Sequence, residues 1–460
     1  MNPATRPFRL NAKDHVKKVL SHLKETEGVI FHSGGHILNR YDTDVEYAFR
    51  QESNFFYLTG VEEPGFHVLI NVADGQSILV APDLDLDEAL WRGMPDTMEV
   101  MQSRYDVDRV VFLSQMKETL ASLNPSTIFT MTSTDVSKLS EHSKIIKKGS
   151  LDRAVWDARL IKTSQEIDLM REANRISSLA HISIMKNARQ GMNECEFEAL
   201  FSYETMRRGC KHQAYGCICG GGTSASILHY VKNDKDVNDP KTLVLVDAGA
   251  EYHCYASDIT RTWPIGGKYI GDAKTIYQIV YDMQDAVFNA MKPGVDWEDM
   301  HRLANRIGCE GLIKAGILKG SVDEVMASHL PAVFFPHGLG HLIGLDVHEP
   351  GGYPEGVDRI NEPGIRYLRF RRKLEPGICC TVEPGIYFVQ QLVDEAIISD
   401  MNKYVDMEVL DRFRKVGGVR IEDCVVVTEN GIENLTQIPR KIEEIEALMA
   451  QKSPLELRTD

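Results

Sequence analysis

The sequence lacks an apolar run long enough to cross a membrane. A spanning helix needs roughly 18 or more apolar residues, and no stretch of the 460-residue chain approaches that length. The opening residues also lack the apolar core of a secretory signal. Basic residues are in the minority, with 52 Lys and Arg against 67 Asp and Glu and a net charge of −15. Because nucleic acids and anionic membranes attract basic surfaces, we expect neither as a main partner.

Cysteines are few and show no framework spacing. There are nine, an odd number, and the two close pairs, Cys217 with Cys219 and Cys379 with Cys380, are not C-x-x-C motifs. Buried hydrophobic thiols in a reducing compartment suit this pattern better than disulfides or a thiolate metal site. We therefore expect a cytoplasmic protein.

Two common catalytic signatures are also missing. The chain contains no HExxH zinc motif, and the glycines at 220–222 lack the lysine of a phosphate-binding loop. Apolar residues make up 43% of the chain and charged residues 26%, which is ordinary for a globular protein. The sequence thus predicts a folded enzyme or binding protein rather than a zincin or a nucleotide-binding enzyme.

The first third of the chain alternates short apolar runs with turn residues, which predicts a mixed α/β domain. The segments "FFYLTG", "HVLINVADG", "SILVAP" and "RVVFLS" are typical of strands. The segment "AKDHVKKVLSHLKE" has the periodicity of an amphipathic helix.

Near residues 150–160 the pattern changes to long helical periodicity, so we predict a domain boundary there. Thr163 with Glu166 and Asn193 with Glu196 are capping-box pairs that predict the starts of two helices. Further helices are predicted at about 272–292 and 296–315 and at the C-terminus, with sheet regions at about 213–268 and 333–429. The predicted domains are residues 1–155 and 156–450, and the fold class is α+β.

Carboxylates follow apolar strands in the second domain, where solvated charge is not expected. Asp247 ends the strand "TLVLVD", Asp258 lies in the next strand, Glu383 precedes a Pro-Gly turn, and Glu422 stands two residues after Arg420. In a hairpin with an even-numbered loop, Asp247 and Asp258 would face the same side of the sheet. Each carboxylate alone fits a salt-bridged strand end, but four together predict a metal site, because buried unpaired carboxylates are costly.

Three histidines lie close together in "FFPHGLGHLIGLDVHE", residues 334–349. The four carboxylates carry a charge of −4, which balances two divalent cations, and one of His337, His341 and His348 would complete the ligand set. Oxygen-rich ligands with one imidazole favour a hard or borderline ion such as Mn²⁺. Two such ions about 3.5 Å apart lower the pKa of a water between them.

Four segments resemble the signature blocks of the pita-bread metallopeptidases, and within them the proline-specific branch. They are "VDAGAEYHCYASDITRTWP", "PHGLGHLIGLDVHEPGGYP", "TVEPGIYF" and "GVRIEDCVVVT". The resemblance covers roughly residues 160–445, and it implies a curved antiparallel sheet backed by helices. The N-terminal domain is similar to the smaller domain of that family mainly in "FRQESNFFYLTG".

The resemblance also implies a role for each matching residue. It implies two divalent metal ions, for which we expect Mn²⁺. Their implied ligands are Asp247, Asp258, His341, Glu383 and Glu422. The implied catalytic residues are His337, Glu383 and His229, and the implied substrate contacts are His229, His348, Arg369 and Asp258. Arg420 would orient Glu422. Tyr215 and Trp91 are either pocket walls or ordinary packing aromatics.

The implied activity is hydrolysis of the bond between a residue Xaa and proline, with short proline-containing peptides as substrates. We expect a homodimeric Xaa-Pro dipeptidase in which the N-terminal domain limits substrate length. The alternatives are an Xaa-Pro aminopeptidase acting on longer peptides and a non-catalytic peptide-binding module. The intact five-ligand set argues against the binding module, and the large N-terminal domain argues against a methionine aminopeptidase.

Overall fold

The computed structural model describes residues 8–451, which divide into two compact units at Leu160 and Ile161. The prediction that no secretory signal opens the chain falls partly on residues 1–7, which lie outside the described residues. No helix within residues 8–451 combines the length and the hydropathy that crossing a membrane requires.

Over residues 8–160, the N-terminal unit contains one six-stranded mixed sheet and six α-helices. The strands are β1 (Val29–Ser33), β2 (His67–Asn71), β3 (Ser77–Ala81), β4 (Arg109–Phe112), β5 (Ile128–Thr130) and β6 (Ile146–Lys148), in the order β4-β3-β2-β1-β5-β6. The helices are α1 (Ala12–His22), α2 (Ser53–Thr59), α3 (Leu86–Arg92), α4 (Met98–Arg104), α5 (Met116–Leu123) and α6 (Asp152–Leu160). Three of the four predicted strands, here β2, β3 and β4, and the predicted helix α1 are confirmed.

The prediction of a strand at "FFYLTG" is wrong, because these residues form helix α2. Aromatic residues favour strands on average, but every residue of this segment is buried, so no alternation between two faces distinguishes the two structures. Local capping decides: the Glu52 side chain accepts a hydrogen bond from the Phe55 amide, and Gly60 ends the helix in the left-handed region at φ 71°.

The C-terminal unit alternates helix pairs with small sheets. Its helices are α7 (Ser164–Asn187), α8 (Glu194–Met206), α9 (Gly271–Ala290), α10 (Trp297–Lys314), α11 (Val322–Ala327), α12 (Pro331–Phe334), α13 (Gln390–Ile397), α14 (Met407–Phe413) and α15 (Ile442–Ala450). Its strands are β7 (His212–Gln213), β8 (Ile218–Gly221), β9 (Leu243–Asp247), β10 (Ala250–Tyr252), β11 (Tyr255–Ala256), β12 (Thr260–Pro264), β13 (Cys379–Val382), β14 (Gly385–Tyr387), β15 (Gly418–Arg420), β16 (Asp423–Thr428) and β17 (Gly431–Asn434).

Both predicted capping boxes are present. Thr163 and Glu166 exchange side-chain and backbone hydrogen bonds at the start of α7, and Asn193 and Glu196 do the same at the start of α8. The other predicted helices of this unit correspond to α9, α10 and α15. The α+β class predicted from the sequence is therefore confirmed.

Every strand pair described in the C-terminal unit is antiparallel. Strand β9 lies between β8 and β12, β13 pairs with β16, and β14 pairs with β15. Two isolated bridges, Thr260 with Glu422 and Leu342 with Cys380, connect these ladders to each other and to the histidine-rich segment. The ends of four ladders thus converge where the predicted ligands lie.

Candidate metal centre

The predicted acidic ligands lie at or beside strand ends. Asp247 is the last residue of β9 and is paired with Thr260 of β12. Asp258 precedes Thr260 by two residues, so both acidic side chains share one face, as the hairpin argument predicted. The connection is longer than a simple turn, because it contains the small ladder of β10 and β11. Glu383 directly follows β13.

His341 lies among three of these carboxylates. Its Nε2 is 3.3 Å from Asp258 Oδ2, 3.4 Å from Glu383 Oε1 and 4.0 Å from Glu422 Oε1. Its Nδ1 lies 3.2 Å from the carbonyl oxygen of Leu342. A proton on Nδ1 would therefore be held by the backbone, leaving Nε2 directed at the carboxylates, the arrangement of a metal-ligating imidazole.

Asp258, His341 and Glu422 form the group whose ligand atoms all lie within 4.8 Å of one another. All three residues are buried. Asp247 joins this group through Tyr215, whose hydroxyl lies 2.5 Å from a carboxylate oxygen of Asp247 and 2.5 Å from one of Asp258. The structure thus brings all five predicted ligands to one buried place.

Arg420 and two threonines hold these carboxylates. Arg420 donates to Asp247 Oδ2 at 2.6 Å and to the Thr260 hydroxyl at 3.1 Å, and Thr260 donates to Glu422 Oε2 at 2.6 Å. Thr381 donates to Glu383 Oε1 at 3.3 Å. The predicted contact of Arg420 with Glu422 is long, at 3.9 Å, so Arg420 orients Asp247 directly and Glu422 through Thr260.

Burial dominates the protonation equilibria of the acidic cluster. It raises the pKa of Asp247 to about 6 and that of Glu383 to about 7, and it raises the pKa of Glu422 well above its usual range. Burial would raise the pKa of Asp258 as well, but the hydrogen bond and charge of His341 lower it. Burial therefore disfavours the charged form of three of the four carboxylates.

This donor set fits divalent cations. Three buried carboxylates and the partly buried Glu383 supply more negative charge than the single guanidinium of Arg420 balances, and uncompensated buried charge is expensive. Carboxylate oxygens with one imidazole nitrogen are ligands that Mn²⁺ and similar ions accept.

A glycine allows the histidine-rich segment to lie against β13. A Cβ atom on Gly340 would stand 2.1 Å from the carbonyl oxygen of Thr381, which is closer than atoms can approach. The amide of Thr381 donates to the carbonyl of His341 at 2.9 Å, and the amide of His341 bonds to the Thr381 hydroxyl at 3.1 Å. The G-x-G pattern around this histidine is therefore required by packing.

His337 is beside the cluster but is already bonded at both ring nitrogens. Its Nδ1 lies 2.8 Å from the carbonyl of Gly338, and its Nε2 lies 2.9 Å from the hydroxyl of Tyr387. Burial and the charge of Arg420 lower the pKa of His337 to about 3. We assign the neutral ring a proton on Nδ1, with Nε2 accepting from the Tyr387 hydroxyl.

The remaining predicted substrate contacts lie in the same cavity. It has a volume of about 2000 Å³ and its lining includes His229, His348 and Arg369 beside the acidic cluster. The ring of His348 packs edge-on against that of His341 at 4.4 Å between centroids. Burial, followed by the charges of His341 and Arg369, lowers the pKa of His348 to about 3. Burial and the charges of Arg420 and Arg369 also lower the pKa of His229.

Outside the acidic cluster, the cavity lining is cationic. Within the described part of the chain, the other charged residues that line it, apart from Arg420, are Arg359, Arg366, Arg369, Arg414 and Lys415. This local excess contrasts with the net charge of −15 of the whole chain. A carboxylate group on a bound molecule would be attracted to this wall.

Sequence reasoning missed Tyr387, Thr260 and Thr381, and it left Tyr215 and Trp91 open. Tyr387 accepts from Arg420 at 2.9 Å and contacts His337; its signal was its position four residues after Glu383 in the same segment. Tyr215 lies within the acidic cluster. Trp91 lies in the N-terminal unit and is 82% exposed.

The fold and the site together define a carboxylate-rich metal-dependent hydrolase. Residues 168–429 match metallopeptidase family M24, and residues 12–129 match the aminopeptidase P N-terminal domain. The chain belongs to metallopeptidase family M24 and has its pita-bread fold, with an aminopeptidase P type N-terminal domain. It is therefore an enzyme and a metallopeptidase that binds divalent metal.

Curated relatives cover nearly the whole chain. The chain is 45% identical over 437 residues to the Xaa-Pro dipeptidase of Homo sapiens, covering 92% of this chain and 88% of that protein. It is 38% identical over 450 residues to a probable Xaa-Pro aminopeptidase of Botryotinia fuckeliana, covering 95% and 96%. Among solved structures, zinc-substituted Escherichia coli aminopeptidase P in complex with product has a TM-score of 0.81 and 30% identity, covering 97% and 100%.

Proposed function

We propose that this protein hydrolyses the peptide bond between Xaa and proline, with Xaa-Pro dipeptides as its main substrates. The observation that carries the proposal is the buried group of Asp258, His341 and Glu422 within a cavity whose other charged lining is cationic. Such a cavity offers a metal-binding end and an end for a free carboxylate. Relatives named Xaa-Pro dipeptidase, at 45% identity, support this substrate class.

We propose two divalent ions per subunit, with Mn²⁺ as the native metal. The ligands would be Asp247, Asp258, His341, Glu383 and Glu422, which lie together in the structure. The charge of the four carboxylates matches two divalent ions, and oxygen-rich ligands favour Mn²⁺ over thiolate-preferring metals. Bound there, the ions would lower the pKa of a water and polarise the substrate carbonyl.

Glu383 is the residue that moves the proton. Its Oε1 lies 3.4 Å from Nε2 of His341, at the edge of the proposed ligand set, where a carboxylate can accept a proton from a bound water and release it again. It takes the proton from the attacking water and passes it to the proline nitrogen as the C–N bond breaks. The products are a free Xaa carboxylate and a free proline amine.

His337 is proposed as the donor that stabilises the negative charge on the substrate carbonyl oxygen. A neutral imidazole with one N–H can do this, and the pKa of His337 near 3 keeps the ring neutral. Donation from Nε2 requires the other tautomer, so substrate binding would have to break the hydrogen bond between Nδ1 and Gly338.

The proposed substrate contacts match the charge and hydrogen-bonding groups of a dipeptide. Arg369 and His348 would hold the proline carboxylate, since a guanidinium can grip a carboxylate with two hydrogen bonds. His229 would bind the substrate next to the reacting bond. Asp258 is a buried acceptor of the kind that a peptide ammonium group requires.

We also propose a cytoplasmic homodimer. Helix α3 presents Leu86, Leu90 and Trp91 to solvent at 69%, 77% and 82% exposure, and exposed apolar groups of this size mark interaction sites. All nine cysteines are free, which suits a reducing compartment. A partner's N-terminal domain would provide the wall that restricts access to short substrates.

Xaa-Pro aminopeptidase activity on longer peptides is the second candidate. The cavity volume of about 2000 Å³ exceeds the range of about 300 to 1,000 Å³ that encloses most small ligands, so one subunit alone has room for more than a dipeptide. The 38% identical relative named as a probable Xaa-Pro aminopeptidase favours the same alternative.

The proposal is tested by incubating Mn²⁺-loaded protein with Gly-Pro and, as a control, with Gly-Ala. We expect release of free proline from Gly-Pro, loss of that activity in EDTA, and its return with added Mn²⁺. Cleavage of Gly-Ala at the same rate, or no cleavage of Gly-Pro by metal-loaded protein, would contradict the proposal.

A further inference from the structure

Glu194 is a fully buried carboxylate outside the acidic cluster. It is the first residue of α8 and is 0% exposed. Its Oε1 accepts a hydrogen bond from the Gly221 amide at 2.7 Å, and its Oε2 accepts from the Tyr230 hydroxyl at 2.8 Å and from the Lys235 amide at 3.0 Å. Three donors from two separate segments therefore converge on one side chain.

The segment 229–237 is fixed around this carboxylate. The amide of Glu194 donates to the carbonyl of Lys235 at 2.9 Å, so the two residues bond to each other in both directions. Val237 continues the pairing with bonds to Gly191 and Met192 at 2.8 and 2.9 Å. The C-terminal end of the segment is thereby held to the start of α8.

Asn233 holds the middle of the segment. It has a positive φ of 47°, and its side chain accepts from the Cys219 amide and donates to the Cys217 carbonyl, both at 2.9 Å. It also donates to Glu198 at 2.8 Å. Glu194 and Asn233 thus attach one loop to β8 on one side and to α8 on the other.

His229 depends on this attachment for its position. It lines the cavity and is itself exposed, and within residues 8–451 its ring makes no hydrogen bond. The next residue, Tyr230, is 4% exposed and packs with Ile218, Leu245 and Tyr387 in a buried cluster. The Tyr230 hydroxyl, which bonds to Glu194 at 2.8 Å and to Asp234 of the same loop at 3.2 Å, is therefore a polar restraint directly beside His229, and Glu194 is its partner outside the loop.

We propose that Glu194 is a positioning residue for His229: its carboxylate holds the 229–237 loop in the place where the imidazole meets the substrate. This inference rests on the proposed function, which gives His229 a substrate contact. Glu194 acts through the loop and does not itself line the cavity. Glutamine at this position has the same shape but only one acceptor oxygen, and its NH₂ group would face a donor.

The test uses the full-length Mn²⁺-loaded protein with Glu194→Gln, His229→Ala and the double variant, measuring KM, kcat and metal content with Gly-Pro. We expect Glu194→Gln to lower kcat/KM about 10- to 100-fold, by analogy with partners that orient metal-ligating histidines, mainly through a higher KM and with wild-type metal content. In the double variant the loss should not exceed that of His229→Ala, because both changes remove the same interaction.

Glu198→Gln is the matched control, since glutamine keeps an oxygen that can accept from Asn233. It should stay within about twofold of the wild type. If Glu194→Gln retained wild-type kcat/KM, or if its loss multiplied with that of His229→Ala, the positioning role would be refuted.

Amide hydrogen exchange of the same variants separates this inference from the proposed function. Glu194→Gln should speed exchange across 229–237, whereas Glu198→Gln should not, whether or not Gly-Pro is a substrate. Should Glu194→Gln fail to fold, Tyr230→Phe removes only the hydroxyl and should shift KM and exchange in the same direction by less. Unchanged exchange in both variants would overturn the anchoring role.

Discussion

Asp258 is a buried carboxylate at the centre of the acidic cluster. One of its carboxylate oxygens lies 3.3 Å from Nε2 of His341, and the other lies 2.5 Å from the Tyr215 hydroxyl. With His341 and Glu422 it forms the group whose ligand atoms all lie within 4.8 Å of one another. Asp258→Asn removes its charge with little change in shape, so we expect the variant to lose two-metal occupancy and activity. Metal analysis by mass spectrometry measures this directly.

The control for that variant is Asp282→Asn, on the exposed side of α9, where the aspartate contacts Gln278. It should bind as much metal as the wild type. Two tightly bound ions per chain in the Asp258→Asn protein would show that the charge of Asp258 is not needed to bind both ions.

Substitutions of two histidines in the 334–349 segment should have different effects. His341→Ala removes a nitrogen that lies 3.3 Å from Asp258 and should therefore lose metal. His337→Ala should keep metal and lower kcat, by about 100- to 1,000-fold if it removes one oxyanion donor. Metal content and single-substrate kinetics of both variants test this, and equal metal loss in the two would refute the separate roles.

Much of the candidate site could be predicted at the level of single residues. Asp247 and Glu422 were visible because a charge within an apolar strand is unusual. Thr260 and Tyr387 were not visible, because their importance comes from strand register: Asp247 pairs with Thr260, and Gly385 pairs with Arg420, which brings Tyr387 beside the guanidinium. Register between distant strands is not encoded in any local pattern.

At the scale of elements, local capping chemistry was the most reliable guide. The Thr163 hydroxyl accepts from the Glu166 amide at 3.3 Å, and the Glu166 carboxylate accepts from the Thr163 amide at 2.8 Å. We expect Thr163→Ala to lower the free energy of unfolding by about 1 kcal/mol, whereas Thr163→Ser retains the cap. Urea denaturation of the three proteins measures it, and equal midpoints for all three would contradict the expectation.

Helix α2 shows where element prediction fails. Its aromatic residues favour a strand, but the structure buries every one of them and caps both ends as a helix. A fully buried segment of seven residues has no periodic signal, so its tertiary surroundings decide. By contrast, the long helices α7, α9 and α10 alternate buried positions with partly or fully exposed ones along their length, and each was predicted.

At the scale of the whole molecule, Arg369 is proposed to select substrates that carry a free carboxylate. Arg369→Ala should raise KM for Gly-Pro steeply, because it removes the guanidinium proposed to bind the free carboxylate. C-terminally amidated Gly-Pro lacks that carboxylate and is the internal control, so any cleavage of it should be almost unchanged. Steady-state kinetics with both substrates tests the assignment, and an equal loss on both would contradict it.

The exposed apolar face of α3 should support the dimer. Trp91→Asp places a charge on a side chain that is 82% exposed, so folding should be unaffected while association weakens. We expect sedimentation to show a dimer for the wild type and a shift toward monomer for the variant. A variant that sediments as the wild type does would exclude this face as the interface.

Substrate length is the property that tests the dipeptidase proposal most directly. The measurement is kcat/KM of the Mn²⁺-loaded wild-type protein on Gly-Pro and on Gly-Pro-Ala under the same conditions. We predict efficient cleavage of Gly-Pro and much slower cleavage of Gly-Pro-Ala. Faster cleavage of Gly-Pro-Ala and longer peptides would contradict the dipeptidase assignment and establish the aminopeptidase in its place.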